Sequence, residues 1–289
     1  MSVPKVSVLM PVYNTQENHL KEAIDSILSQ TYNDFEFIIL DDCSTDTKVE
    51  EIIRSYLDKR IIFLKNDVNL GISESRNKLI EISRGEYLAI MDHDDISLPD
   101  RFKEQVNFLE KKLDVGLVSC DVKVIGSSPI WKTPENNIES QLLMDCCICH
   151  SASMIRKSVL IDYNIKYNGA YTPAEDYALF CDLIGKTKFY NIRKVLFHYR
   201  NHKKNTTHLF NDRMGKMAAI IKNETRKKFP DLWELIKTRA SKTSRIKLFG
   251  VFPLLKVMDD NEVNMNDIIS RVRYYLFNYI LLFEKKTKL

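Results

Sequence analysis

Apolar positions in the early part of the chain alternate between two patterns. Residues 6–11, 35–40, 61–64 and 87–91 are near-continuous apolar runs of strand length, as expected for strands buried on both faces. Between them Leu20, Ala23, Ile24, Ile27 and Leu28, and then Val49, Ile52, Ile53 and Tyr56, recur at helical spacing. A third helix carries Arg76, Asn77, Leu79, Ile80 and Ile82, and Gly85 is read as its C-cap. Strand and helix therefore alternate, which predicts an α/β fold with a mostly parallel sheet flanked by helices.

The later pattern is looser. Residues 115–124 read as one or two strands, 151–155 as another, 158–163 as a short helix, and 195–199 as a strand that runs into Arg200-Asn201-His202. Thr172-Pro173-Ala174-Glu175-Asp176 reads as the opening of a helix continued by Leu179, Phe180, Leu183 and Ile184, since proline and acidic residues suit a first turn. From Leu209 onward the pattern is helical and basic. The expected division is a catalytic domain over 1–205 and a helical C-terminal region over 206–289.

Composition sharpens this division. The net charge of +4 is unevenly spread: residues 201–289 hold 19 Lys and Arg against 9 Asp and Glu, while the preceding residues hold 24 against 30. Residues 244–256 and 271–288 mix that charge with bulky apolar side chains, as interfacial segments do. An anionic membrane surface is the expected partner of the tail, with packing on the body or homodimerisation through the C-terminal helices as the competing account. No nucleic-acid partner is expected. Residues 274–283 are interrupted by Asn278 and fall short of the roughly 20 residues needed to span a bilayer. The chain opens without a basic segment and apolar core of a secretory signal, so a cytoplasmic protein, peripheral on the inner face of the membrane, is expected. Its six cysteines are then expected to be reduced thiols. Cys146-Cys147-Ile148-Cys149-His150 matches a haem-attachment pattern and half a zinc site, but it lacks both an export signal and a second ligand pair.

The chemistry concentrates at strand ends. The run 87–91 stops in Asp92-His93-Asp94-Asp95, and so much like charge at the carboxyl end of a buried strand calls for a cation. An Asp-x-Asp pair there suits Mg²⁺ or Mn²⁺ through hard oxygen ligands; the plainer reading is a strand end leading to a helix cap. Tyr13 and Asn14, Asp41 and Asp42, Asn69 and the Asp92 cluster follow successive strands and should meet in one crevice. With only 8 glycines the chain has neither G-x-G-x-x-G nor a Walker-A loop, so a bound diphosphate would be neutralised by a metal and by Arg76.

These motifs, in this order, resemble the inverting nucleotide-sugar glycosyltransferases of family 2, which have the GT-A fold. The resemblance covers roughly residues 3–205 and includes residues 7–14, 26–32, Asp41-Asp42-Cys43-Ser44-Thr45-Asp46, Asn69-Leu70-Gly71, Arg76-Asn77, Gly85-Glu86-Tyr87, the Asp92 cluster, Glu175-Asp176 and Tyr199-Arg200-Asn201-His202. It implies that Pro11, Val12 and Tyr13 line a base pocket, that Asp42 accepts from a uracil imide, and that Arg76 approaches the diphosphate. It further implies that Asp92 and His93 contact the nucleotide-sugar, that Asp92, Asp94 and His202 bind metal, and that Asp176 is the catalytic base. Cys43 stands where Gly or Asn is usual, and His93 where a small residue is usual. The Q-x-x-R-W motif of processive synthases is absent, so transfer of one sugar from a UDP-sugar to a glycan or lipid-linked glycan of a bacterial cell-surface polysaccharide or lipopolysaccharide is implied. A nucleotidyltransferase, or a non-catalytic nucleotide-binding adaptor at a membrane surface, is the alternative. The former would want a basic or Gly-rich phosphate loop after the first strand.

Overall fold

A computed structural model describes residues 3–125, 130–131, 133–134, 137–202, 205 and 209–238. The chain divides into a first compact unit, Met1–Ile236, and a second, Lys237–Leu289. The expected boundary at 205 lies inside the first unit. The segments 244–256, 271–288 and 274–283 lie outside the described residues, and among those described no helix is long and apolar enough to cross a membrane.

The alternation of strand and helix is realised as β1 (Val6–Val12), α1 (Glu17–Leu28), β2 (Phe35–Asp41), α2 (Lys48–Ser55), β3 (Ile61–Lys65), α3 (Ile72–Ile82) and β4 (Tyr87–Ile90). The strands β3, β2, β1 and β4 are neighbours in that order and all parallel. Val12 lies opposite Asp41, and Asp41 opposite Lys65, so the first three strands end level with one another. Successive side chains of a strand point to opposite faces, and here they enter two cores. Val6, Val8, Met10, Phe37 and Ile39 pack with α1 and α2, whereas Leu9, Ile38, Leu40 and Ile90 pack with Leu79 of α3. This is why the runs are apolar on both faces, with Ser7 and Glu36 as buried polar exceptions that bond to each other.

The rest of the sheet is mixed. After β5 (Ile96–Ser97) and α4 (Arg101–Lys111) come β6 (Val115–Ile125), β7 (Ile130–Trp131), α5 (Ile138–Leu142), β8 (Met154–Arg156), α6 (Lys157–Asp162), α7 (Glu175–Leu183), β9 (Lys188–Arg200) and α8 (Asn211–Lys228). The strand order is β3-β2-β1-β4-β8-β6-β9-β5, with β7 on β6. The short β8 runs antiparallel to both β4 and β6, while β9 is parallel to β6. Residues 115–124 thus belong to one strand, and the strand expected over 151–155 is a 3₁₀ turn at His150–Ala152 followed by β8. Helix α7 opens at Glu175, leaving Pro173 outside its first turn. Helix α8 packs on the second core through Ile221.

Gly85 does not cap α3, which ends at Ile82 with Ser83 already extended. Its reason is close approach: a Cβ at Gly85 would lie 2.5 Å from the Ser7 amide nitrogen. The Gly85 amide donates to Ser7 Oγ at 2.8 Å, and Ser7 Oγ donates to buried Glu36 at 2.6 Å. Gly85→Ala therefore forces backbone apart at the start of β1 and β4, and is expected to cost about 1–3 kcal/mol. The shift of the urea midpoint relative to wild type measures this.

Candidate active site

The loops that follow β1, β2 and β3 are stitched together by short polar side chains. Asn14 Oδ1 accepts from the Thr45 amide at 2.9 Å, and the Asn14 amide donates to Ser44 Oγ at 3.0 Å. Asn14 and Cys43 both adopt left-handed backbone, with φ of 46° and 61°. Such a conformation costs a Cys roughly 1–2 kcal/mol, which accounts physically for the Gly or Asn usual at position 43. Pro11 and Val12 are buried at the end of β1, and Tyr13 is 45% exposed beside them.

Asp42 is buried and already engaged. Its carboxylate accepts from Asn66 Nδ2 at 2.8 Å and from the amides of Leu70 and Gly71, each at 2.9 Å. Gly71, at φ 83°, supplies the turn that brings both amides in before α3 begins. An ionised carboxylate has about four acceptor positions, so Asp42 anchors the 66–71 loop and retains one. Nothing in the local sequence pattern announced this anchoring. Asp41 accepts from the Ser44 amide at 2.9 Å, while its other oxygen is buried without a hydrogen bond, 3.7 Å from Lys65 Nζ.

Arg76, on the first turns of α3, joins two segments well separated in the sequence. Its Nη1 donates to Glu175 Oε1 at 2.7 Å and its Nη2 to Asp92 Oδ1 at 3.2 Å, with the guanidinium 5.4 Å from the centre of the Tyr167 ring. Burial opposes the charge, but Asp92 and Glu175 outweigh it and hold the guanidinium pKa above its ordinary value. Tyr167 is held in turn: its hydroxyl lies 2.7 Å from His150 Nε2, and its amide donates to Asn77 Oδ1 at 2.9 Å.

The three carboxylates after β4 separate into different environments. Asp92 faces Arg76. Asp94 Oδ2 lies 2.8 Å from His202 Nε2, and the His202 ring stacks on His19 with centroids 5.2 Å apart. Asp95 turns inward at 1% exposure, accepting from Ser151 Oγ at 2.7 Å and the Arg200 amide at 2.8 Å. Burial, reinforced by Asp94 and Asp92, pushes its pKa well up. Arg200 also donates to the Asp94 carbonyl at 2.7 Å and pairs with Glu22, so the end of β9 fixes the acidic loop. His93 contributes a ring whose Nδ1 is buried without a hydrogen-bond partner.

Among the described residues no three His, Cys, Asp or Glu side chains are grouped as a self-sufficient metal cage. The donor set nevertheless fits Mn²⁺ or Mg²⁺, which are held by one or two carboxylates plus substrate phosphates. Asp94 already meets an imidazole, and Asp92 meets a cation through one oxygen. The cysteine-rich segment has a different character. All six cysteines are unbridged, and His150 of its C-x-x-C-H pattern faces the Tyr167 hydroxyl.

Asp176, beside Glu175 at the start of α7, accepts from the Tyr177 amide at 2.7 Å. Burial, then the neighbouring Glu175 charge, raise its pKa from 3.8 to about 6 against the opposing pull of Arg76. Of the residues expected from sequence, the fold therefore brings Arg76, Asp92 and Asp176 together and pairs Asp94 with His202. Tyr13 and Asp42 stand at the ends of adjoining strands. Tyr167, Ser151 and Arg200 support them from elsewhere in the chain, and only Arg200 carried a signal, as part of the motif ending in His202.

Residues 7–163 match Glycosyl transferase family 2. The chain belongs to this family. An uncharacterized glycosyltransferase of Methanocaldococcus jannaschii is 39% identical over 210 residues, covering 69% of this chain and 72% of that relative. The UDP-Glc:alpha-D-GlcNAc-diphosphoundecaprenol beta-1,3-glucosyltransferase WfaP of Escherichia coli is 32% identical over 205 residues, covering 68% of this chain and 77% of its own. The structure of S. aureus TarS 1-349 with UDP-GlcNAc superposes with a TM-score of 0.62 at 19% identity, over 74% of this chain and 66%, just under two thirds, of that one. The family 2 chain thus has the GT-A fold expected of it.

The raised Asp176 pKa has a thermodynamic consequence. Its proton is held more tightly in the folded chain than in the unfolded one, so its ionisation carries a stability cost that is absent below pH 3.8 and fully felt above about pH 6. Asp176→Asn should therefore stabilise the metal-free protein by about 1–3 kcal/mol at pH 8, with the gain shrinking toward pH 4. Urea unfolding across that range reads the effect.

Proposed function

We propose that this family 2 glycosyltransferase moves a single sugar, with inversion, from a nucleoside-diphosphate sugar to a hydroxyl of a glycan or lipid-linked glycan acceptor in bacterial surface-polysaccharide synthesis. The observation that carries the reading is the placement of Asp176 at the head of α7, adjoining the Arg76–Glu175 and Arg76–Asp92 pairs, where burial raises its pKa toward neutrality. A base poised near neutrality suits abstraction of a hydroxyl proton. In the proposed reaction the acceptor oxygen attacks the anomeric carbon as its proton passes to an Asp176 oxygen. The bond to the diphosphate oxygen breaks, and the diphosphate leaves with the electron pair. Attack opposite the leaving group inverts the anomeric centre through an oxocarbenium-like state, by analogy with glycoside hydrolysis.

Asp92, Asp94 and His202 would hold Mn²⁺ or Mg²⁺, whose Lewis acidity stabilises charge on a departing diphosphate. Arg76 would add positive charge on the same side. Pro11, Val12 and Tyr13 would bound the base, with the remaining acceptor position of Asp42 available to a uracil imide, and His93 would line the sugar side. A uridine donor and a diphospholipid-linked acceptor are supported by WfaP, whose name specifies both. The basic residues 206–289 would place the enzyme on the inner, anionic face of the membrane, each cation near the leaflet contributing about 1 kcal/mol.

Asp176→Asn is expected to keep donor affinity, by calorimetry, while lowering turnover at least ~100-fold; wild-type turnover would exclude Asp176 as the base. Asp94→Ala should abolish Mn²⁺-dependent tightening of UDP binding, and unchanged tightening would remove Asp94 from the metal set. For the tail, co-sedimentation with anionic but not neutral vesicles, weakened by salt and by truncation after His208, is the expected result. Equal recovery in every supernatant would defeat the membrane assignment and leave the transferase assignment standing.

A further inference from the structure

Two acidic side chains stand side by side at the head of α7, and they are treated differently by the fold. Glu175 is 6% exposed and takes one arm of Arg76 at 2.7 Å. Asp176 accepts only from the adjacent Tyr177 amide among the described hydrogen bonds and ion pairs. Arg76 is nevertheless near enough to act on it electrostatically. Among the described residues, the groups that act most strongly on Asp176 or feel its charge are Glu175 on its own helix, Arg76 from α3, Asp92 after β4, Tyr167 after α6 and Cys146 after α5. Arg76 is the one cation in that set, and an arginine paired directly to a carboxylate would depress its basicity.

We propose that Glu175 is a positioning residue that competes with Asp176 for Arg76: by holding one arm of the guanidinium while Asp92 holds the other, it keeps the Asp176 carboxylate unpaired and able to take a proton. The inference rests on Asp176 as the base and goes beyond it by giving the neighbouring carboxylate a separate task. Three features support it. The remaining Glu175 oxygen is buried without a hydrogen-bond partner, a costly arrangement if only the shape of the side chain mattered. Stacking of Arg76 over Tyr167, itself fixed by His150 and Asn77, restricts the guanidinium to a position where both arms are taken. The Glu175 charge also adds to burial in raising the Asp176 pKa.

Glu175→Gln keeps the size of the side chain and removes the charge that claims Arg76. The test is carboxyl ¹³C NMR titration of the full chain, with the Asp176 resonance identified by its loss in Asp176→Asn. The Asp176 midpoint should fall by at least about one pH unit in Glu175→Gln, and the acid limb of kcat/KM should move down with it. The value of kcat at pH 8 should drop at least ~10-fold, as a paired carboxylate is a poorer base. Glu175→Asp, which withdraws the carboxylate by one methylene, should give an intermediate midpoint, and it decides the matter alone if Glu175→Gln does not fold. A wild-type midpoint in the variants overturns the proposal even if activity is lost, because a purely structural role would lower the rate without moving the titration. Full turnover of Asp176→Asn would instead sink the base assignment, while the midpoints still report whether Glu175 sets the Asp176 titration.

Discussion

A guanidinium that is nearly buried has to be met by negative charge, and Arg76 is met from two directions. Glu175 reaches it from α7 and Asp92 from the end of β4, while Tyr167 supports its face. Each contact depends on a different part of the fold. The position of α3 follows from the Asp42 carboxylate gripping the amides of Leu70 and Gly71, that of Asp92 from β4 lying between β1 and β8, and that of Glu175 from packing of α7 in the second core. Removing either carboxylate would leave its own arm of a buried charge unmatched, which is why such pairs are costly to break. The arrangement holds the loop after β4 and the head of α7 near one another.

A second buried arginine does comparable work under the acidic loop. Arg101, fully buried, donates to the carbonyls of Ile90 and Ser153 at 2.9 and 3.0 Å and stacks near Phe197. Burial lowers its pKa to about 10, and it remains protonated at neutral pH. Its contacts tie β4 to β8 at the point where the chain departs toward Asp92. The acidic segment therefore leaves the sheet from a fixed base, and Arg200 fixes its other side.

The parallel half of the sheet was legible because its signal is local. Runs apolar on both faces, separated by helical spacing, have few other interpretations, and the two-sided core explains them. The polar strand ends were legible for the same reason. Gly85 was misread because a glycine after a helix looks like a cap, whereas the constraint on it comes from Ser7, far away in sequence. Asp42 shows the limit of motif reading: residue type suggests an acceptor, but the fold spends most of that capacity on the loop before α3. Asp92, Asp94 and Asp95 look equivalent in the sequence. Only long-range contacts with Arg76, His202, Ser151 and Arg200 divide them into an ion pair, a histidine partner and a buried group.

Those contacts span much of the chain: 99 residues from Arg76 to Glu175, 105 from Asp95 to Arg200 and 108 from Asp94 to His202. During synthesis at about 5–20 residues per second, the acidic cluster is made several seconds before the residues that secure it. Strands β1 to β4 and their helices can dock meanwhile, since their pairings close within the earlier part of the chain. The parallel part of the sheet can thus pair before the crevice is complete, and both partners of Asp95, Ser151 and the amide of Arg200 at the end of β9, are made after it.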